Sequence, residues 1–142
     1  MMTKITQVEI HEFGFNVPNL GNLTGADSVG AIGYMKGSVS RIEKFALVII
    51  TEDGCRGEYV THWCSTPSTC AQAKTLAPKL IGRHAEEREG IYDDMKRELR
   101  QFDHMGQGPI DIALWDWAGK QLDCSVSVLL GGYRKKLPAY AS

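Results

Sequence analysis

Apolar and polar positions alternate across residues 5–13. Thr6, Val8 and Ile10 fall on one face and Gln7, Glu9 and His11 on the other, the period-two signature of a half-buried strand. The pattern then lapses: residues 14–41 carry Gly14, Gly21, Gly25, Gly30, Gly33 and Gly37 together with Pro18 and several Asn and Ser. This stretch predicts a long loop, and loops of that length in compact domains usually serve a function. Residues 45–50, Phe-Ala-Leu-Val-Ile-Ile, are continuously apolar and rich in β-branched side chains, as a strand covered on both faces requires. Glu52-Asp53-Gly54 supplies a tight turn, and residues 56–60 return as a third strand. Three strands with a hairpin between the last two predict a small antiparallel sheet.

The period then changes from two to 3.6. Thr66 with Pro67 is a helix-start signal, and Cys70, Ala73 and Ala77 keep helical spacing until Pro78 interrupts. Ile91, Met95, Leu99 and Phe102 form one apolar stripe over residues 85–102. The next helix, residues 109–122, is the most informative. Pro109 suits its first position and Asp111 its first turn, while Asp116, Lys120 and Asp123 share one narrow polar stripe. The remainder is apolar, with Trp115 and Trp117 pointing apart, so this helix needs partners on more than one side. A short helical turn at 126–130 stops at Gly131-Gly132, a basic bend spans 133–136, and residues 137–142 begin a further strand. The fold class is therefore α+β, a three-stranded antiparallel sheet followed by a small helical bundle.

Composition narrows the function classes. Of 142 residues, 43% are hydrophobic and 23% charged, enough to close one core. A net charge of −1 gives no field that would recruit nucleic acid or an anionic membrane. No segment has signal-peptide or membrane-spanning length, so the cytoplasm is the expected compartment. Cys55, Cys64, Cys70 and Cys124 include no Cys-x-x-Cys pair and read as free thiols rather than as a zinc site or a disulfide framework. The glycine-rich stretch has neither Gly-x-Gly-x-x-Gly nor a phosphate-loop Lys, which removes a nucleotide site.

Four segments in fixed order then resemble the N-terminal capping domain of the mandelate racemase and muconate lactonizing enzyme family, within the enolase superfamily. They are residues 47–58, two strands around Thr-Glu-Asp-Gly and ending in Gly-Glu; 76–82, Leu-Ala-Pro-Lys-Leu-Ile-Gly; 110–121, Ile-Asp-Ile-Ala-Leu-Trp-Asp-Trp-Ala-Gly-Lys-Gln; and 129–142, Leu-Leu-Gly-Gly, a basic bend and Leu-Pro-Ala-Tyr-Ala-Ser. The resemblance implies a cap over residues 1–128, with 129–142 as a linker and the first strand of a TIM barrel that continues beyond this chain. It also implies abstraction of a proton next to a carboxylate, with the enediolate stabilised on Mg²⁺, by a racemase, cycloisomerase or acid-sugar dehydratase. The implied partners are a small carboxylate substrate, an acid sugar or hydroxy acid, and further copies of the chain in a homo-oligomer.

In that family metal ligands and bases sit at the ends of barrel strands. The resemblance thus assigns no catalytic residue and no metal ligand here, and the 142 residues alone are expected to be inactive. The residues it points to are lid contacts: Asn16, Asn22 and Tyr34 in the glycine-rich stretch, His62 and Trp63 after the third strand, and Ser142 at the barrel mouth. Glu58 reads as a structural acceptor, and Trp115 and Trp117 as packing. The competing reading is a free-standing, non-enzymatic module that binds a ligand or self-associates through exposed apolar surface.

Overall fold

A strand as apolar as residues 45–50 is stable only between neighbours, and that is where it lies. The computed structural model describes residues 2–22, 32–62 and 66–140. Strand β1 (Ile5–Asn22) and strand β2 (Ile32–Thr51) form a long antiparallel hairpin, and β3 (Arg56–Val60) pairs antiparallel with the far end of β2. The order β1-β2-β3 puts β2 in the centre, and Phe45, Leu47 and Ile49 on it are fully buried.

Helices α1 (Thr66–Leu76), α2 (Arg88–Glu98), α3 (Gln107–Gln121) and α4 (Val126–Leu129) follow, with a 3-10 turn at Ala77–Lys79 where Pro78 removes an amide donor. The register sets Val8 and Ile10 on the face of Ile49 and Leu47, and this face packs with the helices into one core. Helix α3 is the hub of that core. It lies against β3 and β2 on one side and is flanked by α1, α2 and α4. Its all-round apolarity is therefore met largely within the chain, although Ile112 and Leu122 remain exposed.

Two glycines make the hub possible. A Cβ on Gly57 would stand 2.0 Å from the Ala113 carbonyl oxygen and 2.7 Å from Trp117 Cβ, so the strand accepts the helix backbone only because that position lacks a side chain. Gly106 plays the same part where α3 meets α1, since its Cβ would fall 2.3 Å from Gln72 Cβ. The hairpin turn is tied to the same helix. The Trp117 indole N–H donates to Thr51 Oγ1 at 2.9 Å, Thr51 donates to Asp53 at 2.6 Å, and Gln121 donates to the other Asp53 oxygen.

Four expectations need correction. Residues 14–41 are not a long loop: β1 runs on to Asn22 and β2 starts at Ile32, with residues 23–31 outside the described ones. The glycines had masked an alternation, Phe13, Phe15, Val17, that continues the first strand on the face away from the helices. Helix α3 begins at Gln107, so Pro109 is its third residue, a position whose amide has no intrahelical acceptor in any case. Asp111 accordingly lies past the first turn. Residues 133–140 carry no strand, because no described segment lies alongside to take up their backbone groups. The second helix is shorter than residues 85–102, spanning Arg88–Glu98, and Phe102 is exposed rather than part of its buried stripe.

Candidate functional site

β1 and β2 run on as a two-stranded hairpin well beyond the end of β3, and the described candidates are spread along it. Asn22 faces Ile32 on the outermost rung and Leu20 faces Tyr34 two rungs inward, so Asn22 and Tyr34 are near neighbours on the hairpin. Tyr34 is 76% exposed. Asn16 lies nearer the sheet body, opposite Arg41, and is exposed.

His62 follows β3 beside the β2 segment at Phe45, since the adjacent Thr61 amide donates to the Phe45 carbonyl at 2.9 Å. Its own carbonyl accepts from Thr66 Oγ1 at 3.2 Å, which fixes the entry to α1. Thr66 is thus the first helical residue and a donor, not the N-terminal acceptor its sequence position suggested. About four residues of strand, roughly 13 Å, separate the His62 level from Asn16. The described candidates are therefore spread along the hairpin, from the level of Phe45 to its outermost rung, and close no pocket. Trp63 and Ser142 lie outside the described residues.

Sequence reasoning missed a charged pair on this hairpin. Arg41 Nε and Glu43 Oε1 are 2.5 Å apart, and both side chains lie over Gly14, whose Cβ they would touch at 2.7 Å. The pair sits on the same face as Asn16, and the i, i+2 spacing of Arg41 and Glu43 was its signal once the segment is read as a strand.

The densest charge cluster lies elsewhere, where α3 meets β3. Asp116 Oδ2 accepts from the Glu58 amide at 2.9 Å and from Lys120 Nζ at 2.7 Å, and Lys120 also reaches Glu58 Oε2 at 3.0 Å. The hydrogen bond from Lys120 holds the Glu58 carboxyl below the usual carboxylate range. Burial works against the charge on Lys120, yet its bonds to Asp116 and Glu58 raise its pKa. This arrangement satisfies an edge strand that would otherwise offer a free amide. Glu58 is thereby a structural residue.

The two tryptophans divide similarly: Trp117 is buried, and Trp115 is covered by the Arg88 guanidinium 4.5 Å above its ring. Cys55, Cys70 and Cys124 are free thiols, and burial raises the pKa of Cys55 and Cys70. Concavities of about 400 Å³ between the 3-10 turn and α2, and of about 640 Å³ around Met2, Glu86 and Leu122, are lined by none of the candidates. Among the described residues, no group of three His, Cys, Asp or Glu side chains could hold a metal ion. The chemistry available from the described candidates is hydrogen bonding by Asn, Tyr and His side chains.

Comparison with known proteins places these features in context. The profile of the mandelate racemase / muconate lactonizing enzyme N-terminal domain matches residues 33–131. An arabinonate dehydratase of Saccharolobus solfataricus is 32% identical over 106 residues, which is 70% of this chain and 28% of that protein. A D-glucarate dehydratase from Agrobacterium tumefaciens, solved with magnesium, superimposes with a TM-score of 0.72 at 28% identity, covering 94% of this chain and 34% of that one. An L-talarate dehydratase from Polaromonas sp. JS666, solved with Mg and L-glucarate, gives a TM-score of 0.67 at 26% identity over 93% of this chain and 36% of that one. The chain thus spans about a third of the length of the proteins it matches.

Proposed function

This chain belongs to the mandelate racemase / muconate lactonizing enzyme family as its N-terminal domain, and from that premise we propose that it caps the active site of an acid-sugar dehydratase. The observation that carries the reading is that Asn22 and the exposed Tyr34 stand together at the tip of the long β1–β2 hairpin. Side chains that donate and accept hydrogen bonds, placed on an extended hairpin, suit the hydroxyl groups of a polyhydroxy acid. The three similar dehydratases, each named for an acid sugar, support that substrate class.

In this reading the hairpin and the segment after β3 cover the bound acid, exclude water and select among its hydroxyls. Proton removal next to the carboxylate raises a charge that a divalent cation in a dry site would stabilise. Among the described residues no group of three ligating side chains could hold such a cation, and in this reading the metal and the base are supplied elsewhere in the enzyme. The 142 residues alone would then bind weakly and turn over nothing.

The test is a panel of aldonic and aldaric acids offered with Mg²⁺ to the whole product of the gene. Formation of the 2-keto-3-deoxy acid is the expected outcome, and its absence with every member would reject the dehydratase. The capping role is tested by Tyr34→Phe, Asn22→Ala and His62→Ala, at least one of which should raise KM or shift the preferred acid. If all three kept the parent kcat/KM across the panel, the cap would not be reading substrate.

A further inference from the structure

The two outer strands of a sheet carry backbone groups that need partners, and here they are treated differently. At β3 the Glu58 amide goes to Asp116, and α3 lies against the strand. At the start of β1 the Ile5 amide donates to the Arg83 carbonyl at 2.8 Å, and the Ile5 carbonyl accepts from the Gly82 amide at 2.8 Å. After the register shift between Ile5 and Gln7 the ladder with β2 is regular to Pro18. It breaks beyond that point, where the Asn19 side-chain oxygen accepts from the Gly37 amide at 2.9 Å. The stretch from Gln7 to Pro18 has none of the usual protections of an edge: no Lys or Arg, no bulge, and no Pro before its last residue.

Which groups stay open follows from the register. The Thr61 amide donates to the Phe45 carbonyl, so odd-numbered β2 residues turn their backbone toward β3 and even-numbered ones toward β1. On β1 the amides and carbonyls of Val8, Ile10, Glu12, Gly14 and Asn16 therefore point away from β2. Among the described residues none of these five amides has an acceptor. Identical strands pair antiparallel about a two-fold axis, outward-turned residue on outward-turned residue, which confines the axis to single residues. An axis at Glu12 would oppose two carboxylates, and one at His11 would run the pairing onto Val8, beside the covered start of the strand. An axis at Gly14 would set Ile10 against Pro18, which has no amide. An axis at Phe13 sets Ile10 against Asn16 and Glu12 against Gly14, each twice, and brings two exposed Phe13 rings together.

Charge selects the same register. Arg41 Nη2 and Glu43 Oε2 each lie 2.7 Å from where a Cβ on Gly14 would stand, so the Arg41 guanidinium occupies the helix-side face over Gly14. With the axis at Phe13, Glu12 of the other copy faces Gly14 on that side, its Cβ about 5 Å from this position. Glu12 is bonded to Lys74 of its own chain. Lys74, Glu12, Arg41 and Glu43 then form a row that alternates in sign across the junction, and the axis generates it twice. We propose that β1 pairs along its open edge with β1 of a second copy, antiparallel about a two-fold axis at Phe13, joining the two sheets into one of six strands. This contact does not rest on the capping role proposed above. Its paired stretch, residues 10–16, falls short of the about 800 Å² per partner of a standard interface, which sets a dissociation constant on the order of 100 µM.

Sedimentation equilibrium on this chain should show a reversible monomer–dimer equilibrium. Amide hydrogen exchange, followed from dilute to concentrated solution, then reads the register. Amides of Ile10, Glu12, Gly14 and Asn16 should slow at least about fivefold in the dimer, the scale of gaining one hydrogen bond each, while the Val8 amide keeps its monomer rate. Phe13→Lys puts two like charges at the axis and should weaken the dimer at least about tenfold, because a symmetric contact feels each change twice. Arg41→Gln removes the cation facing Glu12 and should weaken it about threefold. Amides of residues 45–50 should exchange as in the parent in both variants, which shows that the fold is kept. The pairing is rejected if the chain stays monomeric up to about 1 mM, or if a dimer forms without slowing those four amides. It is rejected equally if they are slow at every concentration, which would mean that the edge is covered within the chain, or if both variants dimerise like the parent.

Discussion

The inner half of the β1–β2 hairpin and its outer half share two strands and one hydrogen-bonding scheme, yet they are stabilised by different physics. Inward of Glu12 and Phe45 the sheet has a third strand and a layer of helices, and its central side chains are removed from water. Outward, Phe13, Phe15, Tyr34, Met35 and Val39 are all exposed, and the ribbon is held by cross-strand pairing and by side-chain bonds such as Ser40 Oγ to the Leu20 carbonyl. The first region answers to packing volume. The second answers to turn geometry and to single hydrogen bonds.

The largest difference should come from glycine. Gly57→Ala forces a methyl group into the Ala113 carbonyl and the base of Trp117, with backbone on one side and helix on the other. We expect a loss of about 3 kcal/mol, read as a drop in melting temperature of roughly 10 °C. Gly14→Ala is the outer counterpart, and it displaces only the mobile ends of Arg41 and Glu43. It should cost less than about 1 kcal/mol. Equal losses at the two positions, measured by urea denaturation, would erase the distinction between the two halves.

Truncation of apolar side chains gives the next contrast. Leu47 is 0% exposed within the core cluster, and Leu47→Ala should cost ~3 kcal/mol. Phe15 is 44% exposed, and Phe15→Ala should cost about 0.5 kcal/mol or less in this chain on its own. A larger value for Phe15 would mean that something already covers the outer face in solution.

The sequence was legible in proportion to this same contrast. Where burial dictates residue type, the pattern was plain: the run at 45–50, the Gly54 turn with its φ of 82°, and the Ile91–Met95–Leu99 stripe all stand where they were placed. Where no core imposes a face, the glycines outweighed the alternation, and Phe13-x-Phe15-x-Val17 was absorbed into a loop. Of the candidates chosen inside that loop, Asn22 and Tyr34 lie at the tip of the hairpin, whereas Asn16 lies opposite Arg41 in the regular ladder. The Asn19–Gly37 bond was invisible, since it needs the register, in which Asn19 alone stands against four residues of β2. The Asp116–Lys120 stripe was visible as helical spacing, but its partner Glu58 was fixed only by the depth to which Gly57 admits α3.

The α3–β3 clamp should give a smaller and pH-dependent effect. Asp116→Asn keeps an acceptor for the Glu58 amide but loses the charge facing Lys120, at a cost of about 1 kcal/mol or less, as for other exposed ion pairs. Glu58 has its folded pKa depressed, so its contribution is present above the unfolded pKa and lost as pH falls through the lower, folded value. Denaturation midpoints between pH 6 and pH 3 should therefore fall more steeply for the parent than for Glu58→Gln. Parallel curves would show that the clamp carries no net charge-dependent stability.

The smallest effect has the opposite sign and belongs to Asp111. Its carboxyl is pushed up first by burial and then by the nearby Glu89 charge, with Arg88 only partly offsetting both. A raised folded pKa means that folding favours the protonated acid. The stabilising contribution is complete below the unfolded pKa and disappears as pH rises through the folded value. At neutral pH the chain thus bears the full cost of an ionised carboxylate there, and no helix-dipole benefit offsets it, because Asp111 lies beyond the first turn of α3. Asp111→Asn should then stabilise the chain at pH 7 by a few tenths of a kcal/mol, on the order of a typical surface substitution, and the gain should vanish near pH 4. Arg88→Gln, which removes the one offsetting charge, should enlarge that gain. If Asp111→Asn instead destabilises at pH 7, the carboxylate is held by an attraction stronger than burial, and α2 and α3 are joined at their N-terminal ends by charge rather than by the Arg88–Trp115 stack.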